Sequence, residues 1–167
     1  MSLPSENHSA SQPFIDRATS LVAVAGGLLA MAVAGLVVAS VLGRWLFSTP
    51  VEGDFDFVRM ATAIAVFAYL PYTQARRGNI MVDTFTNGLP KRIRNGMDAF
   101  WDLAFAAFMG LCAYGLFNGA LDALRTGETT MQLQLAVWPA IALGAALCAL
   151  LTLTCIATAL RLLKARP

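Results

Sequence analysis

The sequence predicts an all-α membrane protein. It has four transmembrane helices, both termini cytoplasmic, and amphipathic interfacial helices in the central cytoplasmic loop. Three observations predict it. Charged residues are 13% of the 167-residue chain, about half the 25% or so of a soluble domain. The apolar residues fall in long blocks rather than at a helical or strand period, as they do in segments that cross a bilayer. The basic residues gather at the ends of those blocks, mostly on one side.

Residues 1–13 are mostly polar, and 1–15 read as a disordered cytoplasmic tail. The first span, about 18–43, is uncharged between Arg17 and Arg44. Some 26 residues at 1.5 Å each make about 39 Å, more than a ~30 Å hydrocarbon core needs. The block is too long for a signal-peptide core and has no evident Ala-x-Ala cleavage site followed by a mature domain, so a retained, tilted helix is expected. Gly27, Gly35 and Gly43 recur at intervals of eight, with Ala23, Ala30 and Ala34 nearby. Small residues let backbones approach, so Gly27 and Gly35 are assigned to a helix-packing, partner-facing surface. Arg44 and Trp45 anchor the far interface.

A short loop holds Glu52, Asp54 and Asp56 and leads to the second span, about 57–75. Arg59 lies one turn inside it, and Pro71 about one turn from its end, where a kink or unwinding is expected. Arg76 and Arg77 then mark the boundary of a basic, amphipathic segment over 79–97. Its apolar residues Val82, Phe85, Leu89, Ile93 and Met97 are three or four apart, on one helical face. Asn87-Gly88 is a break and Pro90 suits the first turn of a new helix, so two short helices along the interface are expected. Lys91, Arg92 and Arg94 would turn toward lipid phosphates. Asp83 is expected to cap, or to pair with Arg76 or Arg77, and so to set the angle to the second span.

The third span covers about 99–121, with Trp101 at its entry and Asp102 just inside. A second short loop carries Arg125, Gly127, Glu128, Thr129 and Thr130; Met131 to Val137 re-approaches the surface. Pro139 opens the fourth span, about 138–160, as a first-turn proline, and residues 164–167 form a short cytoplasmic tail. Cys112, Cys148 and Cys155 lie inside apolar blocks and read as small buried hydrophobes.

Orientation follows from the basic residues. Arg17, Arg76, Arg77, Lys91, Arg92, Arg94, Arg161, Lys164 and Arg166 lie on one side; Arg44, Arg59 and Arg125 lie on the other. Nine against three puts both termini in the cytoplasm.

The same residues exclude several functions. The only histidine, His8, is in the tail, so no haem or metal site is expected in the membrane. No Gly-rich phosphate loop, nucleophile elbow or His-Glu-x-x-His occurs, so no enzyme and no cofactor are expected. Asp56, Asp98, Asp102 and Asp122 sit at helix ends, whereas a pump or carrier usually buries a carboxylate near mid-membrane. A multidrug exporter would need an acid deep in the first span, and a thiol oxidase paired surface cysteines; neither is present. The net charge of +2 gives no reason to expect nucleic acid. A helper subunit remains.

Three features then carry a family resemblance: Arg44-Trp45-Leu46-Phe47; Gly53-Asp54-Phe55-Asp56-Phe57-Val58-Arg59 running through to Arg76-Arg77-Gly78-Asn79-Ile80-Met81-Val82-Asp83; and Thr126-Gly127-Glu128-Thr129-Thr130 followed by Leu133-Gln134-Leu135-Ala136-Val137-Trp138-Pro139. From about Asp16 to Leu162 the chain resembles the small permease subunit (DctQ-like) of tripartite ATP-independent periplasmic (TRAP) transporters. Family members often carry His where Asn79 stands and Pro where Ala136 stands, and many have Trp and a Glu-Glu or Glu-Leu pair around Asp54 to Phe57; these departures suggest a branch of the family. The resemblance implies a bacterial inner-membrane subunit bound to a large permease that holds the sodium and substrate sites. A periplasmic binding protein delivers the solute, typically an organic acid, and the small subunit acts as a fixed scaffold.

On that footing Arg59 is expected to pair with Asp56 or with a carboxylate of the large permease, the alternative being that it snorkels to the outer headgroups. Glu52, Asp54 and Asp56 are expected to form an acidic outer rim that docks the binding protein. The physical reading alone also allows a non-catalytic assembly or anchor subunit of another inner-membrane complex.

Overall fold

A computed structural model describes residues 13–48, 52–76 and 91–164, with side chains over 15–48, 52–76 and 96–162. Among the described residues there are four helices: α1 (Pro13–Phe47), α2 (Asp54–Ala75), α3 (Lys91–Thr126) and α4 (Trp138–Lys164). Each expected span lies inside one of them. Three are long and apolar enough to cross a membrane, over Ile15–Phe47, Gly96–Thr126 and Trp138–Leu162. α2 is less apolar because Asp54, Asp56, Arg59 and Gln74 fall within it. Its 22 residues still reach about 33 Å at 1.5 Å each.

Local chemistry sets the helix ends. α1 closes where the Ser48 N–H donates to the Arg44 carbonyl at 3.1 Å, with Ser48 left-handed at φ 55°. α2 opens from Gly53, also left-handed. It runs four residues past the buried Pro71 and closes with the Arg76 N–H on the Tyr72 carbonyl at 3.0 Å, so the expected unwinding at Pro71 does not occur. α3 ends at Gly127, φ 65°, with the Glu128 N–H returning to the Ala123 carbonyl at 3.1 Å. That is the six-to-one bond of a Schellman cap, and glycine is the residue that takes its left-handed position without a Cβ clash. The Val137 carbonyl accepts from Ala140 and Ile141, placing Pro139 in the first turn of α4 as expected.

Two boundaries differ from expectation. Residues 13–15 belong to α1 rather than to a tail. Residues 91–97 are not a separate interfacial helix but the opening turns of α3. Nothing from Arg92 to Trp101 stops a helix once it has started: there is no proline, and the one glycine, Gly96, is carried by the run. The first expected interfacial helix, 79–90, lies outside the described residues.

α3 packs along α4, α2 against α4, and α1 chiefly against α2. Ala106 and Met109 of α3 meet Cys148, Leu151 and Cys155 of α4, with Phe67 and Leu70 of α2 on the same cluster. The three cysteines are unpaired thiols, two buried and one half-buried, as the sequence implies. α1 lies on the outside: only 6% of its most apolar stretch is buried. It touches α2 at Gly26, where a Cβ would stand 2.7 Å from the Ala68 Cβ and 3.4 Å from the Ala65 carbonyl oxygen. The buried hydroxyls of Thr154 and Thr158 donate to carbonyls four residues back, at 2.8 Å each, so they need no partner across the bundle.

The chain runs up and down. Ser40 near the end of α1 meets Asp54 at the start of α2, and Gln74 near the end of α2 meets Asp102 near the start of α3. A shallow groove joins Ile15 and Ala18 of α1 to the last turns of α4. The two described chain ends therefore share one end of the bundle, and the α1–α2 and α3–α4 loops share the other.

Candidate functional site

At the loop end the sequence builds a clasp. Between α3 and α4 the chain folds into a small hairpin. Thr129 and Ala136 pair in antiparallel fashion, the Thr130 N–H donates to the Leu135 carbonyl at 2.9 Å, and the Val137 N–H donates to the Glu128 carbonyl at 3.2 Å. Gln134 turns the tip at φ 53°. The tip backbone then points at α2. The N–H groups of Gln132 and Leu133 both donate to one oxygen of Asp56, at 3.1 and 3.0 Å. The Thr130 hydroxyl donates to the same carboxylate and accepts from the Leu135 N–H at 3.1 Å.

Beside these bonds the Leu133 side chain occupies the space over Gly53. A Cβ on Gly53 would stand 2.1 Å from Leu133 Cδ1. Gly53 also has φ 75°, so this one glycine meets two demands, a left-handed backbone and an empty space. The neighbouring carboxylate, Asp54, accepts from the buried Ser40 hydroxyl of α1. Two acids separated by Phe55 thus tie α2 to its neighbours, Asp54 to α1 and Asp56 to the α3–α4 hairpin.

Asp56 lies just ahead of the apolar stretch that opens at Phe57 and is 5% exposed. The Leu133 N–H holds its carboxyl below the ordinary carboxylate range. Burial opposes that shift; Thr130, the Gln132 N–H and the charge of Arg59 assist it, in falling order. A depressed folded-state pKa stabilises the fold above the ordinary carboxylate pKa of about 4, and that stabilisation fades as pH falls through the lower folded value. Hairpin docking should therefore weaken only on the acid limb. Thermal unfolding followed from pH 7 downward should show a steeper acid loss in the natural chain than in Asp56→Asn, which keeps an acceptor but does not titrate.

At the opposite end Gln74, 3% exposed, donates from Nε2 to Asp102 Oδ1 at 2.9 Å. This bond ties α2 to α3 as the clasp ties α2 to the hairpin. Gln74→Leu keeps the bulk and removes the donor to a charged acceptor, and should cost about 1.5–3 kcal/mol. Thermal unfolding in detergent would read it.

The sequence-assigned residues fall as follows. Glu52, Asp54 and Asp56 do not form one exposed rim: Glu52 is exposed, Asp54 is half-buried on Ser40, and Asp56 is buried under the hairpin. The expected Arg59–Asp56 pair gives way to the hairpin. Arg59 is exposed, and its charge is the smallest influence on Asp56. Arg76 is exposed with its guanidinium 5.4 Å from the Tyr72 ring centre. Gly27 lies near the Tyr69 hydroxyl, at 3.4 Å from where its Cβ would be, and Gly35 has nothing within 4 Å. Arg77 and Asp83 lie outside the described residues, as do the side chains of Lys91, Arg92 and Arg94. Sequence reasoning missed Gly26, Gln74 and the hairpin donors. The turn residues at 127–130 signalled a loop, but nothing in them names Asp56, 76 positions from Gln132.

Comparison with known proteins adds one finding. A family model described as "Tripartite ATP-independent periplasmic transporters, DctQ component" matches residues 33–165, and so covers the C-terminal part of α1 and all of α2, α3 and α4. No curated protein and no solved structure matches the chain.

Proposed function

The chain belongs to the DctQ component family of tripartite ATP-independent periplasmic transporters, and from that premise we propose that it is the fixed brace of its transporter. A DctQ component is the small membrane subunit, a transport protein and not an enzyme. In this reading it sits in the bacterial inner membrane with both termini cytoplasmic and α2 as the fourth span. It holds a large permease that carries the solute, an organic acid, in symport with sodium. It also helps to receive the periplasmic binding protein.

The observation that carries the reading is the pair of polar ties on α2. Asp56 holds the hairpin at one end and Gln74 holds Asp102 at the other. Such ties keep α2 from moving against α3 and the hairpin, so the subunit can hold one shape while a partner moves against it. The fourth span is supported by α2 running between the same two ends as α4. The orientation is supported by the distribution of basic residues, with the described chain ends together at the more basic end. Glu52 and the hairpin tip, where Met131 is 96% exposed, are the groups available to the binding protein. Lys91, Arg92 and Arg94, in the first turn of α3, would meet lipid phosphates at the other face.

The test is reconstitution. The purified chain alone in liposomes should pass no solute. With the large permease and the binding protein it should support sodium-driven uptake of an organic acid. Flux through the chain alone would overturn the brace, and so would failure to recover a large permease with it from native membranes in mild detergent.

A further inference from the structure

The outward face of α2 carries a seam. Phe55, Arg59, Thr62, Val66 and Tyr69 are exposed and Thr73 is half-buried, at alternating spacings of four and three. That is the 3.5-residue repeat by which one helix lies along another. The opposite face of α2, with Ala65, Ala68, Pro71 and Gln74, is buried within the bundle, so no described residue fills the seam.

The seam is poorly suited to acyl chains. Away from their ends the outward faces of the other helices carry mainly apolar side chains, with Leu21, Leu28 and Met31 on α1, Leu111 and Phe117 on α3 and Leu153 on α4. The α2 seam instead carries a guanidinium and the Thr62 hydroxyl, while the Thr73 hydroxyl donates back to the Tyr69 carbonyl at 3.1 Å. A cation inside a span is costly against lipid and is usually paired or facing protein. The nearest acid in sequence, Asp56, is already committed to the hairpin. Tyr69 continues the surface onto a shallow groove beside Gly27, Ala30, Met31 and Ala34 of α1. There a second backbone can come close, and close packing is what drives helix association in lipid.

We propose that a transmembrane helix of the large permease lies along this seam and sets a carboxylate opposite Arg59. The proposal rests on the brace reading above and names the face by which the brace holds its partner.

A photo-crosslinking residue is placed at Val66, and separately at Leu111 and Leu153, in the full chain co-expressed with the large permease. Position 66 should give adducts with the permease, and positions 111 and 153 should not. Arg59→Met should lower recovery of the permease in mild detergent about tenfold or more, and Arg59→Lys should restore most of it. The yield of the chain itself should be unchanged in both variants, and its melting should move only slightly with Arg59→Met, since Arg59 is the smallest influence on Asp56. Permease adducts at 111 or 153 but not at 66 would overturn the seam while leaving the brace standing. So would labelling at 66 of lipid alone or of a second copy of this chain. Recovery with Arg59→Met equal to the natural chain would remove the carboxylate partner. No permease recovered with the natural chain would sink the brace and this proposal with it.

Discussion

Gly53→Ala should unseat the α3–α4 hairpin and destabilise the fold by about 2–5 kcal/mol, the sum of a left-handed non-glycine residue and an overpacked contact. The methyl would fall on Leu133 Cδ1 and Cγ, at 2.1 and 2.3 Å. A leucine can usually swing away from such a clash. Here its own N–H is fixed to Asp56 at 3.0 Å, so the side chain must leave without the backbone or the bonds must break. Gly127→Ala is the control. Gly127 has φ 65° but nothing within 4 Å of its missing Cβ, so it should lose only the backbone cost, about 1–2 kcal/mol. Thermal unfolding in detergent measures both. Leu133→Ala in the Gly53→Ala background should recover part of the loss, since neighbours couple in a double-mutant cycle. A Gly53→Ala cost no larger than that of Gly127→Ala would show that Leu133 is not seated there.

Gly26→Val should separate α1 from α2. The contact atoms are the Ala68 Cβ, at 2.7 Å, and the Ala65 carbonyl oxygen, at 3.4 Å. Neither is the end of a flexible side chain, so the helices themselves must part. Overpacking of this kind costs about 1–3 kcal/mol, and α1 has its main contact with α2 to lose. Gly35→Val offers the comparison: no atom lies within 4 Å of that position, so only a small change in propensity is expected. Proteolysis of the α1–α2 loop and thermal unfolding should both rank Gly26→Val far below Gly35→Val. Equal behaviour would place the α1–α2 crossing elsewhere.

Those two glycines also mark what was legible beforehand. The long apolar blocks gave the helices, because a lipid-facing run is visible in one sequence without knowing its neighbours. The eight-residue spacing of Gly27 and Gly35 suggested a packing face, yet the close crossing is at Gly26. One residue turns a helix by about 100°, and the choice was decided by Ala65 and Ala68 on another helix, which no period along α1 can reveal. Asp54 and Asp56 read as a surface rim because acids in a short loop usually are one. Their partners, Ser40 and the hairpin N–H groups, are set by tertiary folding. Asn87-Gly88 and Pro90, read as a break and a helix start, lie outside the described residues. The residues after it looked interfacial because Ile93 and Met97 continue the apolar repeat, and that repeat is also what a helix entering the membrane displays.

The unequal helix lengths have a mechanical consequence. At 1.5 Å per residue, α1 and α3, with 35 and 36 residues, reach about 52 and 54 Å, and α2 about 33 Å. Because α2 is fastened to other elements at both ends, the helices cannot slide past one another to match a thinner or thicker bilayer. Mismatch must be met by the whole bundle leaning. Lipid chain length would then set the inclination at which this subunit presents its partner, and transport should vary with bilayer thickness even where every contact is preserved.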